Sequence, residues 1–335
     1  MKKRTRQFIL VAAGILVFGL GTGLVASYMG LQNLGLIGRD GPAQLDYVPA
    51  DAGAIAYANV RDVMDSELRK KLLQFHPGPG GDADRFQQET GIDIQTDIDE
   101  VVVAVSTESP TPRPLVIARG RLNPVPIEGL VRQHGGVVEQ YRGIRLVAHP
   151  NGEVGVAFAE PGVVVVGTPA AVRRAIDTKF DGTNIRKNDG IMRIVRDVDG
   201  GTAWSVAHLD AITGGRQLPP EIASQLPPLT WVAASGYING GVRGTVRAEA
   251  RDTTAANDLR QVVQGFIALA RLQVGRRPEF AELLNSLQLG GQGTTVSIEF
   301  TVPAEMVDAL GAIAGQRGSR PDAPARPELR PLPAL

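Results

Sequence analysis

The stretch LDYVPADAGAIAYANVRDVMDSELRKKLLQF, residues 45–75, sets the pattern that the rest of the chain follows. Pro49 to Gly53 reads as a turn, and Ala54 to Val60 reads as a strand of small and apolar residues. A helix follows, because apolar residues recur at helical spacing between Val63 and Phe75. The stretch predicts a domain in which short strands alternate with helices.

The β pattern continues beyond this stretch as apolar runs separated by turns. Asn151-Gly152 and Asn239-Gly240 are strong hairpin signals, because both positions of such a turn tolerate positive φ. The predicted strands are 98–106, 114–121, 137–141, 144–148, 154–159, 163–167, 202–208, 229–238, 242–250 and 294–301. The predicted helices after residue 90 are 126–135, 170–177, 191–198, 218–226, 254–274, 278–287 and 303–314.

The second half of the chain repeats the element order of the first. AIAYANVRDVM at 54–64 compares with TAWSVAHLDAI at 202–212, and LVIARGRLNPVPIEGLVRQ at 115–133 compares with GTVRAEARDTTAANDLRQV at 244–262. We therefore expect an α+β fold in which a β-α-β-β-α-β unit is duplicated and the sheets are mainly antiparallel. The predicted units are 45–190 and 191–314, followed by a disordered proline-rich tail at 315–335.

An uncharged apolar run precedes this domain. Phe8 to Leu31 is long enough to span about 30 Å of hydrocarbon as a helix, which takes roughly 20 residues. Four basic residues among residues 1–7 indicate that the N-terminus is cytoplasmic and that the bulk of the chain is extracytoplasmic. The run predicts a transmembrane signal anchor in a bacterial inner membrane, joined to the domain by a spacer at 32–44.

A cleaved signal peptide is the alternative interpretation of this run. Val25-Ala26-Ser27 offers small residues at a cleavage site before Tyr28, but a signal h-region usually runs only about 7 to 15 residues. A lipid anchor on a thiol is excluded, because the chain has no cysteine. We expect a retained anchor.

Composition excludes several classes of function. The chain carries 35 basic and 35 acidic residues, so that the part beyond the four basic residues of the leader has a net charge of −4. Such a domain has no basic field to hold nucleic acid. The lack of cysteine also removes thiol catalysis and cysteine-ligated metals.

Candidate site residues are few. Gly19, Gly23 and Ser27 fall four residues apart and would line one face of the membrane helix, where a second helix could approach closely to form a homodimer. His208 and Asp210 would point the same way from a strand, as a general base and the group that orients it, but no serine in a G-x-S-x-G turn accompanies them.

No metal or cofactor is predicted. The four histidines lie far apart in sequence and lack the i, i+4 spacing of a helical zinc site. The acidic cluster at 93–100 lacks the turn glycine of a calcium loop and reads instead as a solvated strand edge. Trp204 and Trp231 lie in β runs, where packing is the expected role.

Four segments resemble a known family: YVPADAGAIAYANVRDV, TGIDIQTDIDEVV, EPGVVVVGTPAAVRRAID and LPPLTWVAASGYINGGVRGTVRAEARD. They are similar to an uncharacterised family of bacterial membrane-anchored proteins of the DUF3352 type, found notably in acidobacteria. The resemblance covers most of residues 45–310. It implies one N-terminal anchor and a large extracytoplasmic α+β domain, without a known activity or catalytic residues.

These observations favour a non-enzymatic binding or scaffold protein of the bacterial envelope, with an envelope protein or a second copy as its partner. The alternative is an envelope hydrolase with its site at the junction of the two repeats.

Overall fold

The computed structural model describes residues 41–67, 69, 87–89, 91–106, 114–133, 135–209, 227–239, 241–274 and 281–302. The predicted membrane helix with Gly19, Gly23 and Ser27 lies outside these residues, as do Asp210 and the predicted tail at 315–335. Within the described ranges, no helix is both long and apolar enough to cross a membrane.

Twelve strands of the described chain form one sheet, in which every pair of hydrogen-bonded neighbours is antiparallel. Across the sheet the strand order is β11-β12-β10-β9-β8-β1-β2-β3-β7-β6-β5-β4. The strands are β1 Ala52–Asn59, β2 Ile98–Ser106, β3 Leu115–Gly120, β4 Val137–Tyr141, β5 Ile144–Ala148, β6 Gly155–Glu160, β7 Val163–Gly167, β8 Ala203–His208, β9 Leu229–Asn239, β10 Gly241–Ala250, β11 Gln288–Gly290 and β12 Thr295–Val302.

The strands follow a similar order on the two sides of the pair formed by β1 and β8. On one side the order is β1-β2-β3-β7-β6, and on the other it is β8-β9-β10-β12-β11, while β4 and β5 extend the first edge. We call β1 to β7 the first half and β8 to β12 the second half. The expected α+β class with a mainly antiparallel sheet is confirmed, and the duplication stays a prediction.

The described helices lie between these strands along the chain. They are α1 Val60–Asp65, α2 Ile94–Asp97, α3 Pro124–Gln133, α4 Pro169–Asp181, α5 Asp189–Val198, α6 Thr253–Val274 and α7 Ala281–Ser286, and two 3-10 helices cover Ala43–Tyr47 and Ile185–Lys187.

The boundaries of α4 follow from its terminal residues. Thr168 precedes the helix and its hydroxyl oxygen accepts a hydrogen bond from the backbone N–H of Ala171 at 3.2 Å. Pro169 at the first position fits because its fixed φ is helical and it has no N–H to satisfy. Gly182 ends the helix in the left-handed region at φ 63°, which a residue without Cβ adopts without strain.

Two clusters of buried residues cover opposite faces of the first half of the sheet. The larger cluster packs α4, α5 and both 3-10 helices against Ile55, Val102, Ile117, Val165 and Val206. The other packs Val60 and Ile92 against Val101, Val103 and Val116, which alternate with the first set along β2 and β3. This alternation explains why residues 101–105 of β2 and 115–118 of β3 are apolar without interruption, as is typical of strands covered on both faces.

A third cluster joins the first turns of α6 to the second half of the sheet. Ala255, Ala256 and Leu259 pack there against Ala250 and Val296. Residues of β10 and β12 that face α6 belong to the same side of the sheet as Val101 and Val103, because paired residues in adjacent strands share a face. The sheet therefore has helices on both faces of its first half, and α6 covers one face of its second half.

Gly120 at the end of β3 provides a test of this packing. A Cβ added there would lie 1.9 Å from the carbonyl oxygen of Asp97, a backbone atom that cannot move independently of β2. We expect Gly120→Ala to lower the free energy of unfolding by about 3 kcal/mol, which is the upper range for overpacking. Chemical denaturation followed by circular dichroism measures this change.

Gly129→Ala is the matched control, because a Cβ at Gly129 meets no atom within 4 Å and the residue lies inside α3. This variant should gain up to about 1 kcal/mol from helix propensity. Equal stability of the two variants would contradict the close approach of β3 to Asp97.

Candidate functional site at the junction of the two halves

The two halves of the sheet meet where β1 pairs with β8. Five Cα pairs join them, from Ala54 with Ala207 to Ala58 with Ala203, and Tyr57 lies opposite Trp204. We call the end of the sheet where β1 finishes and β8 starts the upper end. The alternation of side chains gives the junction two different faces.

One face of the junction carries a cluster of polar and aromatic side chains. The rings of Tyr57 and Trp204 stack with centroids 5.6 Å apart and an interplanar angle of 28°. The hydroxyl of Tyr57 donates a hydrogen bond to Glu100 Oε1 at 3.1 Å, and Nε2 of Gln44 donates one to Glu100 Oε2 at 2.9 Å. Gln44, Tyr57, Glu100 and Trp204 form what we call the junction cluster.

Burial and the charge of Glu100 together keep Tyr57 protonated. Burial raises the pKa of Tyr57, and the nearby negative charge and hydrogen bond of Glu100 raise this pKa further. Arg119 lies 3.8 Å from Glu100 Oε2 and balances part of its charge. The phenol therefore acts as a hydrogen-bond donor that fixes Glu100, and not as a base near neutral pH.

Two buried polar atoms of the junction cluster have no hydrogen-bond partner among the described residues. They are the acceptor Gln44 Oε1 and the donor Trp204 Nε1, on side chains that are 2% and 3% exposed. Leaving such atoms unpaired costs about 1 to 3 kcal/mol each. The donor and the acceptor suit hydrogen bonding to a small polar molecule and supply no nucleophile.

The chain enters the fold beside this cluster through a set of ion pairs. Lys179 Nζ lies 3.0 Å from Asp46 Oδ2, and Arg186 Nε donates to Asp46 Oδ1 at 2.7 Å. Arg186 also donates to the carbonyl oxygen of Pro42 at 2.8 Å. Asp46, Lys179 and Arg186 form what we call the entry clamp, which joins the 3-10 helix Ala43–Tyr47 to α4 and to Ile185–Lys187.

Further contacts fasten the same segment along its length. The backbone N–H of Gly41 donates to Asp199 Oδ2 at 3.1 Å, just after the end of α5. The hydroxyl of Tyr47 donates to Glu160 Oε1 at 2.8 Å, and Asn188 Nδ2 donates to the carbonyl oxygen of Ala50 at 3.1 Å. These contacts therefore hold residues 41–51 against one face of the fold. The segment begins at the upper end.

The opposite face of the junction is lined by small side chains. Ala54 and Ala56 of β1 lie next to Ser205 and Ala207 of β8, and Ala234 of β9 lies opposite Ser205. All five residues are half-buried. This face of the junction is shallow and largely apolar, between the helices of the first half and α6.

The structure places His208 away from the junction cluster. His208 ends β8 at the lower end of the sheet, where its ring makes an edge-on contact with Trp231 at 4.9 Å between centroids. Asp210 lies outside the described residues, so its pairing with His208 stays a prediction. Trp204 is 3% exposed and belongs to the core, as expected.

The acidic cluster at 93–100 differs from the expected strand edge. Asp93 caps the single helical turn of α2, where its Oδ1 accepts from the backbone N–H of Gln95 at 2.8 Å. The other carboxylates have separate partners: Asp97 pairs with Arg121, Asp99 with Arg61, and Glu100 with the junction cluster. Among the described residues, no group of three or more histidines and carboxylates could hold a metal ion.

Sequence reasoning missed the roles of Gln44 and Asp46. Residues 41–44 belong to the predicted spacer, yet Gln44 is buried against β2. The partners of Asp46 lie more than 130 residues away along the chain, and no local sequence pattern predicts such contacts. A weak signal exists in Pro42, because the 3-10 helix begins directly after it.

Known proteins resemble this chain in structure rather than in sequence. No protein-family model matches the chain, and no curated protein matches it. Among solved structures, crystal form III of TP0453 aligns with a TM-score of 0.44 and 12% identity, over 81% of this chain and 97% of that chain. Crystal form I of TP0453 aligns with a TM-score of 0.43 and 11% identity, over 82% and 97%.

Replacing Asp46 tests the entry clamp through pH. Burial raises the pKa of Asp46, but hydrogen bonds from Arg186 and Lys179 outweigh it and hold this pKa below its ordinary 3.8. The stabilisation is therefore fully present above pH 3.8 and is lost as the pH falls through the folded pKa. We expect Asp46→Asn to lower the free energy of unfolding at pH 7 by about 1 kcal/mol, since the pairs are partly exposed to solvent.

Urea denaturation at a series of pH values measures this difference between the native chain and Asp46→Asn. The difference should shrink toward zero below the folded pKa, because the native carboxyl is then neutral as well. Asp258→Asn, on the exposed face of α6, is the control and should change little at any pH. A difference for Asp46→Asn that persists in acid would contradict the ionic role of Asp46.

Proposed function

We propose that this protein is a membrane-anchored, extracytoplasmic binding or scaffold protein of the bacterial envelope. Residues 8–31 anchor it in the inner membrane with the N-terminus in the cytoplasm, and the sheet domain lies on the other side. The partner is an envelope protein or a second copy of the chain.

The observation that carries this proposal is the fastening of residues 41–51 to the fold. Nine residues lie between Leu31 and Gly41, so that these two residues are at most about 35 Å apart when the chain is extended and the upper end of the sheet stays near the bilayer. Beyond Gly41 the entry clamp joins the chain to α4 and to Ile185–Lys187, and the bond from Gly41 joins it to Asp199 just after α5. A domain mounted in this way keeps a restricted distance from the membrane, which suits a scaffold.

The strand order supports duplication as the origin of the two halves. β1, β2, β3 and β7 occupy the same relative places in the sheet as β8, β9, β10 and β12. α3 follows β3 as α6 follows β10, and both pack on the same face. A duplicated unit presents two related surfaces from one chain, which suits binding better than a single catalytic centre.

The junction geometry does not favour the hydrolase alternative. Its proposed base, His208, contacts Trp231 at the lower end of β8, whereas the junction cluster lies toward the upper end. Tyr57 and Trp204 occupy the junction with stacked rings and a donor phenol. These side chains can hold a polar ligand, and binding is the function that we propose for them.

Membrane topology is tested with single cysteines, because the native chain has none. We introduce Thr5→Cys before the anchor and Asp258→Cys on the exposed face of α6, each in the full chain. A membrane-impermeant maleimide applied to cells with a permeabilised outer membrane should label position 258 and leave position 5 unlabelled.

The same labelling after cell lysis is the control, and both cysteines should then react. Labelling of position 5 in unlysed cells would contradict the orientation. A mature chain that starts at Tyr28 and stays in the soluble fraction would contradict the anchor itself.

Self-association is proposed to use the face formed by Gly19, Gly23 and Ser27. Replacing Gly23 by Leu should abolish close helix approach and reduce crosslinking of the full chain in membranes. Gly14→Leu is the matched control, because Gly14 lies about 140° around the helix from Gly19. Equal crosslinking of both variants would show that the dimer, if formed, uses another surface.

A further inference from the structure

The second half of the long helix α6 exposes apolar side chains to solvent. Phe266, Leu269 and Leu272 are 60%, 57% and 79% exposed, whereas Ala256 and Leu259 in the first half are 0% and 6% exposed. The run from residue 261 to residue 270, QVVQGFIALA, contains no charge. Exposed single apolar residues are normal, but three at successive i, i+3 positions form a continuous face.

This exposed face begins as a continuation of the buried one. Phe266 follows Leu259 by seven residues, so that the two side chains leave the helix within about 20° of each other. Leu259 is packed against the sheet, whereas Phe266 is exposed to solvent. Leu269 and Leu272 then carry the face around the helix by about 60° each.

The second half of α6 lies toward the upper end of the sheet. Near the start of the helix, Arg260 donates to the carbonyl oxygen of Thr295 at 2.9 Å, and Thr295 begins β12 at the lower end. Beyond the helix, α7 is fastened at the other end of β12, where Ser286 Oγ donates to the carbonyl oxygen of Thr301 at 2.9 Å. α6 contacts both α7 and β12, and thus runs upward.

The chain enters the fold at that same end. Gly41 bonds to Asp199, four residues before β8 begins, and the first residue of β8 pairs with Gly236 near the end of β9. The exposed face of α6 and the first described residue thus share the upper end, on opposite faces of the sheet. In the proposed anchoring, the nine residues between Leu31 and Gly41 hold that end near the bilayer.

We propose that Phe266, Leu269 and Leu272 contact the lipid bilayer and seat the upper end of the domain on the membrane surface. This inference rests on the proposed anchoring. A helix face with exposed apolar residues gains free energy by burial at the boundary of headgroups and acyl chains. Arg271, exposed beside Leu272, can extend its charge toward the headgroups while its stem stays with the apolar face.

The test uses an environment-sensitive fluorophore on one introduced cysteine in the full chain. Leu269→Cys carries the probe within the proposed contact, and Asn257→Cys carries it at an exposed position near the lower end of the same helix. Both chains are reconstituted in vesicles of phosphatidylethanolamine and phosphatidylglycerol, with and without lipids that carry a nitroxide quencher. The probe at 269 should show a blue-shifted emission and several-fold stronger quenching than the probe at 257.

A second pair of variants separates the contact from the position of the probe. Phe266→Ser with Leu272→Ser, added to the chain labelled at 269, should remove the blue shift and the excess quenching. Gln261→Ser with Gln264→Ser replaces exposed polar residues of the same helix and should leave both unchanged. All four substituted side chains are partly or fully exposed, so that the packed half of α6 is preserved.

Equal and weak quenching at 269 and 257 would overturn the lipid contact. A shielded probe at 269 that lipid quenchers do not reach would also overturn it, and would identify a protein surface, from a second copy or from residues 303–335, as the occupant. Flotation of the same vesicles distinguishes loss of the membrane anchor from loss of the lipid contact of α6. Chains that fail to float contradict the proposed anchor, whereas chains that float without the quenching contradict the lipid contact of α6 alone.

Discussion

The pairing of β1 with β8 is the interaction on which the rest of the structure depends. It is the place where a strand from the start of the domain meets one that begins about 150 residues later, and it joins two sets of strands into one sheet. β1 also pairs with β2, so that both of its edges are hydrogen-bonded. Ile55 and Val206 face each other at 1% and 0% exposure, and each is held by burial as well as by the backbone bonds.

Local patterns in the sequence predict most of the described elements. β2, β4, β5 and β7 have the predicted bounds, because turns flank each apolar run on both sides. Sheet order and the pairing of β1 with β8 are not available from such patterns, since they depend on contacts between distant residues. The helix predicted at 254–274 shows the same limit: Leu259 is buried, but Phe266, two turns later on the same side of α6, is exposed.

Less of the candidate site than of the fold can be predicted from the sequence. Residue type and spacing predict that His208 pairs with Asp210, yet His208 makes its ring contact with Trp231 across a strand pair. Gln44 and Asp46 carry no recognisable motif, and their roles arise from Glu100, Lys179 and Arg186 far along the chain. The acidic residues at 93–100 were grouped by sequence, whereas the fold gives each of them a different partner.

The entry clamp also determines how a pulling force would pass from membrane to domain. Tension on the N-terminal side of Gly41 first loads the bond between Gly41 and Asp199. It then reaches Asp46, where Lys179 and Arg186 transfer it to α4 and to residues 185–187. Only after the contacts of residues 41–51 break would the load fall on β1, an interior strand that must slide against β2 and β8 together. Sliding breaks many hydrogen bonds at once, whereas peeling an edge strand breaks them one by one. The domain is therefore attached to its predicted anchor at a mechanically strong point.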